Sequence, residues 1–579
     1  MPKATTNIDK GLNELRAARR ESRSLYWAAA LFSMFANILM LTGPLYMLQV
    51  YDRVLSSRSV ATLVALTSIV AFLFLIMGIL DFARARILSR VGARFQARLD
   101  KRVFNAVVRR SALRSDQVAA TGLKDLESIR RLLTSPALIA LFDMPWTPIF
   151  LAGISLFHPW LGILALVGGA LLVVLTILNQ WMSSRPQSDA MRATVQSELM
   201  TEQLRNESEM LQAMGMRDSA FSRWLQTRNL ALKTQLKSSD VGGTFSALTK
   251  TFRLFLQSAM LGLGAYLVLQ GELSPGAMIA GSILMGRALA PIEMAIGQWS
   301  TVQNASKGWQ NLGQLLTEVP PEEARTALPA PKAKLDVVQA TVVPPGESVA
   351  ALRLVSFSVQ PGQAVGVIGP SGAGKSTLAR ALTGAWRVAG GKIRLDGAAL
   401  DQYDPSDLGR YIGYLPQRVQ LFDGTIAENI ARLSPQRDDA KIVEAARLAD
   451  AHDMILKLPE GYDTRVTANG GRLSGGQIQR IGLARAMYDS PVILVLDEPN
   501  SNLDNEGSQA LNNSIRLLKE RGCSVLIMAH RPAAIQECDL LLMLENGSRA
   551  AFGPKDDVLR EVVTNHKQIQ TAKGPGGVQ

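Results

Sequence analysis

The residues most clearly suited to bind a ligand form a glycine-rich stretch in the second half of the chain. It reads Gly369-Pro-Ser-Gly-Ala-Gly-Lys-Ser376 and has the spacing G-x-x-x-x-G-K-[ST], in which glycines let backbone N–H groups turn toward a phosphate. We expect Lys375 to pair with the β- and γ-phosphates of a nucleotide and the Ser376 hydroxyl to ligate Mg²⁺. The predicted nucleotide contacts are Gly369, Pro370, Ser371, Gly372, Ala373, Gly374, Lys375, Ser376 and Thr377.

Two acidic residues further along the chain complement this loop. Asp497 and Glu498 directly follow the apolar run 492–496, which predicts a buried strand. Asp497 is expected to hold Mg²⁺, directly or through water, and Glu498 to act as the general base that polarises the attacking water. Paired acids after a strand can also serve as a simple strand cap, but the phosphate loop favours the catalytic interpretation.

The elements that must position these residues are visible on both sides of the loop. Residues 353–369 alternate and then become apolar, which predicts a strand that enters the loop, and 377–384 predict a helix that leaves it. The start of that helix adds partial positive charge where a phosphate would bind. The second half is therefore predicted to be an α/β domain of the P-loop type.

The first half of the chain has the composition of a membrane domain. Six apolar runs reach or approach the ~20 residues that a helix needs to cross a ~30 Å hydrocarbon core. One such run could be a buried core helix, but six in series, separated by basic segments, favour membrane spans. The predicted spans are about 26–48, 60–80, 136–157, 160–180, 252–270 and 275–297.

The distribution of charge gives the orientation of these spans. Residues 341–579 contain 26 Lys and Arg and 26 Asp and Glu, whereas residues 1–340 contain 36 and 23, which accounts for the net charge of +13. Basic residues concentrate in the segments predicted to lie inside, and are scarce in the outer connections. The inner segments are 1–25, 81–135 and 181–251, and the outer connections are 49–59, 158–159 and 271–274. The net positive charge is thus attributed to the orientation of the spans in the membrane and to contact with membrane lipid. Nucleic-acid binding is not expected.

The chain of 579 residues is predicted to have four parts. They are a cytoplasmic N-terminal segment at 1–25, a six-helix transmembrane domain at 26–317, a linker rich in Pro and charge at 318–336, and a nucleotide-binding domain at 337–579. No removable signal peptide is expected before the first span. Cys523 and Cys538 both lie in the second half, so no disulfide framework is expected.

The long inner segments are predicted to be helical arms. Residues 81–114 and 185–238 have few Gly or Pro and recurrent apolar residues among charges, so they are expected to extend the spans into the cytosol. The predicted turning points are 118–122 and 210–215.

Further motifs in the second half resemble those of the ATP-binding cassette (ABC) family. They are Gln417 in Tyr-Leu-Pro-Gln, the signature Leu473-Ser-Gly-Gly-Gln477, the loop Ser501-Asn-Leu-Asp504 and His530 in Met-Ala-His-Arg, in the family's order. The resemblance implies that Gln417 and His530 belong with Glu498 to the catalytic set, and that Gln417 joins Ser376 and Asp497 at Mg²⁺. It also implies nucleotide contacts by Ser474, Gly475, Gly476, Gln477 and Asp504. Two cassettes arranged head-to-tail would place each signature on the other's ATP, so a homodimer is expected.

Six spans followed by a C-terminal cassette resemble an ABC exporter, and within that group the ATPase/permease of type I secretion systems. The residues that support this are Gly43-Pro-Leu-Tyr-Met-Leu-Gln-Val-Tyr-Asp-Arg-Val54, Met285-Gly-Arg-Ala-Leu-Ala-Pro-Ile-Glu293 and Asp497-Glu-Pro-Asn-Ser-Asn-Leu-Asp504. The resemblance implies an inner-membrane protein that docks to a periplasmic membrane-fusion adaptor and an outer-membrane channel and exports an unfolded polypeptide with a C-terminal signal. An N-terminal cysteine peptidase domain is not expected.

Two other functions are compatible with parts of the sequence. A lipid or drug exporter of the same architecture is the nearer alternative. A soluble cassette ATPase that acts on nucleic acid or ribosomes is disfavoured by the six spans and by the zero net charge of residues 341–579.

Three ionisable residues lie within the predicted spans, namely Asp143, Arg287 and Glu293. Charges at membrane depth usually face a cavity or a partner, so we expect Arg287, and with it Asp143, to line the translocation path. Glu293 would be interfacial if the span ended earlier.

The chain departs from the family pattern at two places. A stretch that usually carries Glu before the signature has Ala468 instead. No aromatic residue lies between Asp336 and Val355, where the family usually supplies one to stack on adenine. We expect apolar contact by Val343 and Pro344 in its place, with Tyr411 or Trp386 as the alternative.

Overall fold

The computed structural model describes residues 8–113, 117–322, 325–467, 473–529 and 532–561. The chain divides into two compact units between Pro321 and Glu322. The first strand of the second unit begins at Leu335 and the last helix of the first ends at Glu318.

The described part of the first unit is helical. Its α-helices are α1 (Ile8–Arg20), α2 (Arg23–Leu39), α3 (Thr42–Gln49), α4 (Leu55–Ser57), α5 (Val60–Leu113), α6 (Gln117–Leu133), α7 (Pro136–Asp143), α8 (Thr147–Phe157), α9 (Pro159–Asn206), α10 (Ser208–Ala213), α11 (Arg217–Leu269), α12 (Pro275–Gly297) and α13 (Trp299–Glu318). A π-helix, Val50–Val54, joins α3 to α4, and a 3₁₀ turn, Met144–Trp146, joins α7 to α8.

Six helical segments are long and apolar enough to cross a membrane, as predicted. They are Arg23–Ser57, Val60–Leu113, Pro136–Phe157, Pro159–Asn206, Arg217–Leu269 and Pro275–Gly297. The apolar side chains of α5 largely face outward, and Val64, Phe72 and Leu75 are each at least 60% exposed. In water this would be costly, whereas in a bilayer the lipid tails cover such a face.

Three of these helices continue far beyond the thickness of a membrane. Helix α5 has 54 residues, α9 has 48 and α11 has 53, so at ~1.5 Å per residue each is about 70–80 Å long. The prediction that 81–114 and 185–238 extend the spans as helices is therefore confirmed where the chain is described. The turn expected at 210–215 is also found, because α10 ends at Ala213 and Gly215 has a left-handed φ of 65°.

The predicted turn at 118–122 is wrong, since α6 begins at Gln117 and passes through Gly122 without interruption. A Cβ at Gly122 would lie 2.6 Å from a Val107 methyl carbon and 3.0 Å from one of Leu315. The glycine therefore permits α5, α6 and α13 to pack closely, and its presence does not mark a loop.

The outer connection at 49–59 is helical for most of its length. The Asp52 side chain lies in the π-helix and accepts hydrogen bonds from Ser274 Oγ at 2.6 Å and from the Gly276 backbone N–H at 2.9 Å. It thus caps the start of α12, where a carboxylate is favoured by the free N–H groups and the helix dipole. This contact ties the outer end of the first span to that of the last.

Two of the three charges predicted within the spans are paired. Asp143, 8% exposed, lies 2.8 Å from Arg84 Nη1 and accepts a hydrogen bond of 2.7 Å from Asn37. Glu293 lies 3.1 Å from Arg253. Asp143 therefore joins α2, α5 and α7, and its burial argues against the expectation that it lines a path.

The second unit contains two main sheets and the remaining helices. Its strands are β1 (Leu335–Val342), β2 (Leu352–Val359), β3 (Ala364–Ile368), β4 (Gly390–Leu395), β5 (Ala398–Ala399), β6 (Ile412–Leu415), β7 (Gly424–Thr425), β8 (Arg465–Val466), β9 (Ile493–Asp497), β10 (Ser524–Met528), β11 (Leu540–Glu545) and β12 (Ser548–Pro554). Its helices are α14 (Lys375–Leu382), α15 (Pro405–Tyr411), α16 (Ile426–Ile430), α17 (Asp439–Leu448), α18 (His452–Leu456), α19 (Gly475–Met487) and α20 (Asn505–Glu520).

The larger sheet has the order β12-β11-β3-β10-β9-β6, and the smaller one has the order β2-β1-β4-β5. Strands β3, β6, β9, β10 and β11 pair in parallel, and residues such as Val367, Leu496 and Leu526 are fully buried. Continuous burial explains why these strands are uniformly apolar, as parallel strands covered on both faces are.

The single strand predicted at 353–369 is two strands. Strand β2 belongs to the smaller sheet and β3 to the larger one, and the chain turns between them at Pro361 and Gly362, whose φ is 78°. Proline and a left-handed glycine are the residues that such a turn requires. The alternating pattern on both sides of the turn led to the prediction of one continuous strand.

We predict that the Arg84–Asp143 pair is worth far more to folding than an exposed pair. Asp143→Leu should lower the free energy of unfolding by up to about 3–5 kcal/mol, because the buried Arg84 then keeps only the more exposed Asp81, 3.0 Å away, as a counter-charge. Arg84→Met combined with Asp143→Leu should recover part of that loss. The measurement is denaturant unfolding in detergent, followed by tryptophan fluorescence.

The control is the exposed pair Lys124–Glu198, whose side chains are 74% and 60% exposed. Glu198→Gln should change stability by about 0–1 kcal/mol. Equal effects of the two substitutions would contradict the structural role of Asp143.

Candidate functional site

The phosphate loop, Gln417, Asp497 and Glu498 lie at one edge of the larger sheet. In the register of the parallel strands Met528 pairs with both Val367 and Asp497, and Leu415 pairs with Leu496. Because parallel strands end at the same edge, the loops after β3, β6, β9 and β10 all leave the sheet there. In open α/β sheets this carboxyl edge is where ligands bind.

The phosphate loop follows β3 and passes directly into α14. Gly374 has a φ of 98°, and a Cβ there would lie 2.6 Å from Leu352 and 2.9 Å from the Ala351 carbonyl oxygen. No other residue fits both the conformation and the space. Gly372, in contrast, has open space where a Cβ would project, so the loop leaves room for a ligand above its backbone.

Lys375 begins α14 and is only 6% exposed. Its Nζ donates hydrogen bonds of 2.9 Å to the carbonyl oxygens of Gly369 and Pro370. Burial lowers the pKa of Lys375, and the nearby carboxylates of Glu498 and Asp497 act in the opposite direction. A buried cation bonded to neutral carbonyl groups is suited to bind a phosphate that enters the loop.

Ser376 and Asp497 meet although 121 residues separate them in sequence. Ser376 Oγ donates a hydrogen bond of 3.2 Å to Asp497 Oδ1, at the end of β9, where Asp497 is 2% exposed. Burial raises the pKa of Asp497, and the hydrogen bond from Ser376 opposes this rise. A hydroxyl and a carboxylate oxygen side by side are the hard oxygen ligands that Mg²⁺ prefers, so these two residues fit the ion.

Glu498 follows Asp497 in a left-handed conformation, with a φ of 53°. Its N–H donates to the Met528 carbonyl at 3.0 Å, and its own carbonyl accepts from Ser501 N–H at 3.2 Å. A non-glycine residue adopts this conformation at a cost of roughly 1–2 kcal/mol, which the two hydrogen bonds offset. The chain therefore turns sharply at the sheet edge, and Glu498 is half-buried there.

The signature residues form the start of α19. Ser474 caps the helix, because its Oγ accepts from the Gln477 N–H at 3.3 Å while its own N–H donates to Gln477 Oε1 at 2.8 Å. Gly475 and Gly476 lie in the first turn, and a Cβ at Gly476 would lie 3.0 Å from the Asn502 carbonyl oxygen. The Gln477 side chain is thus engaged in capping, and its predicted contact with nucleotide stays a prediction.

Two residues of α19 that the sequence analysis did not single out attach the signature to the loop after Asp497. Gln479, 2% exposed, donates to the Pro499 carbonyl at 3.1 Å. Arg480 lies 2.9 Å from Asp450 and 3.5 Å from Asp504. Asp504 in turn caps α20 by accepting from Gly507 N–H. Their positions, one helical turn after the signature, are the only sequence signal for this role.

The remaining predicted residues are less constrained. Gln417 lies two positions beyond β6 at the same sheet edge and is exposed. His530 and Ala468 lie outside the described residues, so their assigned roles stay predictions. Among the described residues, no group of three or more His, Cys, Asp or Glu side chains is arranged to hold a metal.

The segment predicted to hold adenine lies beside the phosphate loop. The Val342 carbonyl accepts from Ala351 N–H at 2.9 Å, and the next residue, Leu352, packs against Gly374. Val343 is half-buried there. Of the two alternative aromatics, Trp386 stacks under Arg380 at 4.7 Å and Tyr411 packs edge-on against Tyr403. Apolar contact by Val343 and Pro344 thus stays our prediction.

Comparisons with known proteins agree with this geometry. Residues 352–501 match the family model "ABC transporter", and residues 26–290 match "ABC transporter transmembrane region". The type I secretion system ATP-binding protein PrsD of Rhizobium meliloti (strain 1021) is 43% identical over 557 residues, which is 96% of each chain. The leukotoxin translocation ATP-binding proteins LktB of Bibersteinia trehalosi and Mannheimia haemolytica are 27% identical over 93% of this chain and 77% of their own length.

A solved structure shares the fold. A bacterial Atm1-family ABC exporter with ATP bound aligns with a TM-score of 0.78 and 22% sequence identity, over 93% of this chain and 97% of that one.

The site yields a direct kinetic prediction for Glu498. Glu498→Gln keeps the size of the side chain but removes its charge, and loss of a general base typically lowers the rate ~10²–10⁴-fold. ATP binding should persist, since the phosphate loop is untouched. The measurements are ATPase rate and nucleotide affinity of the purified full chain.

The matched control is Glu506→Gln, an exposed carboxylate in the first turn of α20. It should leave the ATPase rate within about twofold of the unmodified protein, as expected of a surface substitution. A Glu498→Gln variant that hydrolyses ATP as fast as this control would refute the assignment.

Proposed function

The chain belongs to the ABC transporter family, among the type I secretion ATP-binding proteins, and we propose that it hydrolyses ATP to export an unfolded polypeptide across the bacterial inner membrane. The observation that carries the proposal is the contact between Ser376 and Asp497 at 3.2 Å. It supports the proposal because it brings together the two residues expected to ligate Mg²⁺, in a chain that also has six helices able to span a membrane.

The residues of the site have separate tasks in hydrolysis. Lys375 binds the β- and γ-phosphates through charge-assisted hydrogen bonds, together with the backbone N–H groups of the loop. Ser376, Asp497 and Gln417 are the residues that would hold Mg²⁺, and the ion, when bound, would offset phosphate charge. Glu498 accepts a proton from the attacking water molecule while the oxygen of that water bonds to the γ-phosphorus. The bond between the γ-phosphorus and the β–γ bridging oxygen breaks in the same step.

The signature is proposed to act on the ATP of a second copy. Its helix start offers N–H groups and a positive dipole end, and α19 is attached to the segment after Asp497 through Gln479 and Arg480. Closure of two copies around ATP would therefore be transmitted to the strand that carries Asp497 and Glu498. His530, which lies outside the described residues, is assigned to the same catalytic set by the family resemblance alone.

The proposed orientation places the N-terminus and the ATPase unit in the cytoplasm. The basic segments 1–25, 81–135 and 181–251 favour the inner side. The outer side then presents the turns at His158 and Glu272, whose side chains lie 3.2 Å apart, and the Asp52 cap of α12. In a type I secretion assembly this face would meet a periplasmic adaptor, which leads to an outer-membrane channel.

The alternative, export of lipid or drug-like molecules, is not favoured. The likeness to the Atm1-family exporter, at 22% identity, concerns the fold alone. The relatives with higher identity are named for type I secretion and for leukotoxin translocation, and the first of them covers nearly the whole chain. No observation on the described residues points specifically to a lipid path.

We predict that loss of the chain removes at least one polypeptide from the culture medium of its host. Reintroduction of the unmodified gene, or of Glu506→Gln, should restore it, because both retain hydrolysis. Glu498→Gln should not, because ATP binds there without turnover. The measurement is mass spectrometry of the medium, with membrane levels of each variant checked by immunoblot. An unchanged set of secreted polypeptides in the deletion strain would argue against protein export.

A further inference from the structure

Helix α5 carries a run of arginines just beyond its apolar part. Residues 82–99 contain five arginines and no Asp or Glu. The first of them, Arg84, is paired with Asp143, and the last, Arg98, with Glu21. The three between them are Arg86, Arg90 and Arg94. All three are exposed, and none has an acidic side chain within ion-pair distance among the described residues.

These arginines continue the side of α5 that faces outward in its apolar part. The large apolar side chains there are each at least 59% exposed, namely Phe72, Leu75, Ile79 and Phe82. Their spacings of three and four residues place them on one side of the helix, and Arg86 and Arg90 follow at the same spacing. One side of α5 thus changes from apolar to basic, as a helix does where it passes from lipid tails to lipid headgroups.

The length of the apolar run places the first two arginines near the inner headgroups. Residues 60–80 form about 31 Å of helix, which matches a ~30 Å hydrocarbon core. Arg86 and Arg90 then lie about 9 and 15 Å beyond its end, from where long side chains can extend back toward the headgroup layer. The Arg86 guanidinium lies 5.7 Å from the ring centre of Phe82, one turn nearer the membrane, so it does point toward the bilayer.

A tryptophan on the neighbouring segment gives the same depth. Arg84 donates a hydrogen bond of 3.1 Å to Ser33, and Arg98 donates one of 3.2 Å to Glu21, so residues 21–33 run antiparallel beside α5. Trp27 lies midway between these two contacts, at the level of Arg90, and is 67% exposed. Exposed tryptophan side chains are typical of the boundary between membrane and water.

The unpaired arginines favour an anion beside them. Like charges four residues apart on a helix repel each other, and the described part of the chain supplies no carboxylate to offset Arg86 and Arg90. Two guanidinium groups on one side of a helix, ~6 Å apart along its axis, can bind one phosphate through several charge-assisted hydrogen bonds. At this depth, beside an apolar surface that lipid tails cover, such a phosphate belongs to a phospholipid.

We propose that Arg86 and Arg90 form a binding site for the headgroup of an anionic phospholipid of the inner leaflet, whose tails lie along the apolar side of α5. A zwitterionic lipid fits less well, because its own cationic group offsets its phosphate. The inference concerns the surface of the membrane domain and is independent of what the protein exports.

The test titrates the purified full chain in detergent with dioctanoyl phosphatidylglycerol or dioctanoyl phosphatidylcholine, and native mass spectrometry counts the bound lipid. The unmodified protein should bind the anionic lipid about 25-fold more tightly, since each arginine near a charged lipid contributes about fivefold. Arg86→Gln combined with Arg90→Gln should abolish the preference, and the corresponding double Lys variant should retain most of it. Arg94→Gln, one turn further from the membrane, should weaken binding less than Arg90→Gln.

The matched control is Arg205→Gln combined with Arg217→Gln, which removes two exposed arginines from the far end of the α9 and α11 arms. It should leave the preference unchanged. Equal binding of both lipids by the unmodified protein overturns the inference without any substitution, so the test does not depend on the folding of a variant. A preference that persists in the double Gln variant, or that the control loses equally, also overturns it.

Two further outcomes would assign the arginines to another role. Displacement of the anionic lipid by an equal concentration of inorganic phosphate would indicate a site for soluble anions and contradict a lipid site. Loss of the two-chain species in Arg86→Glu, with lipid preference intact, would indicate a contact between copies and contradict it as well. Either result leaves the proposal of polypeptide export standing.

Discussion

The free-energy cost of moving charged side chains out of water constrains the buried sites in both units of this protein. Inside the first unit, Arg84 of α5 and Asp143 of α7 are both under 10% exposed and lie 2.8 Å apart. Ser33 and Asn37 of α2 hydrogen-bond to the same pair, so three helices meet where an unpaired charge would be costly. In the second unit Lys375 is equally buried but is bonded to carbonyl oxygens. The first arrangement is complete within the chain, and the second, as we propose, is completed by a phosphate of the nucleotide. The same reasoning distinguishes the arginines of α5 that have an acidic partner from the exposed ones that have none among the described residues.

The chemistry of the ATP site was largely predictable because it depends on local sequence. A phosphate loop needs particular residues at fixed spacing, and the parallel sheet then brings the ends of its strands to one edge whatever the connecting segments contain. The contact between Ser376 and Asp497 follows from that rule. The spans were predictable for a similar reason, since length and apolar character alone determine whether a helix can cross a bilayer.

What the sequence did not reveal are contacts between distant elements. Gly122 suggested a turn but serves close packing of three helices, and nothing around Asp52 shows that it caps a helix more than 220 residues away. Arg480 and Gln479 lack a motif of their own, so their attachment of the signature to the Asp497 loop required coordinates. The two-strand structure of 352–368 was hidden because both strands and their turn share one alternating pattern.

We propose that two copies of this chain enclose each nucleotide between the phosphate loop of one copy and the signature of the other. Cross-linking of Ser371→Cys to Ser474→Cys, with a short thiol-specific reagent, can detect this arrangement in the Glu498→Gln background with Mg²⁺ and ATP. The two native cysteines are both buried, so the introduced thiols should react preferentially. We expect a product of twice the chain mass that forms only when nucleotide is present. A product confined to single chains, or one that forms equally without ATP, would contradict it.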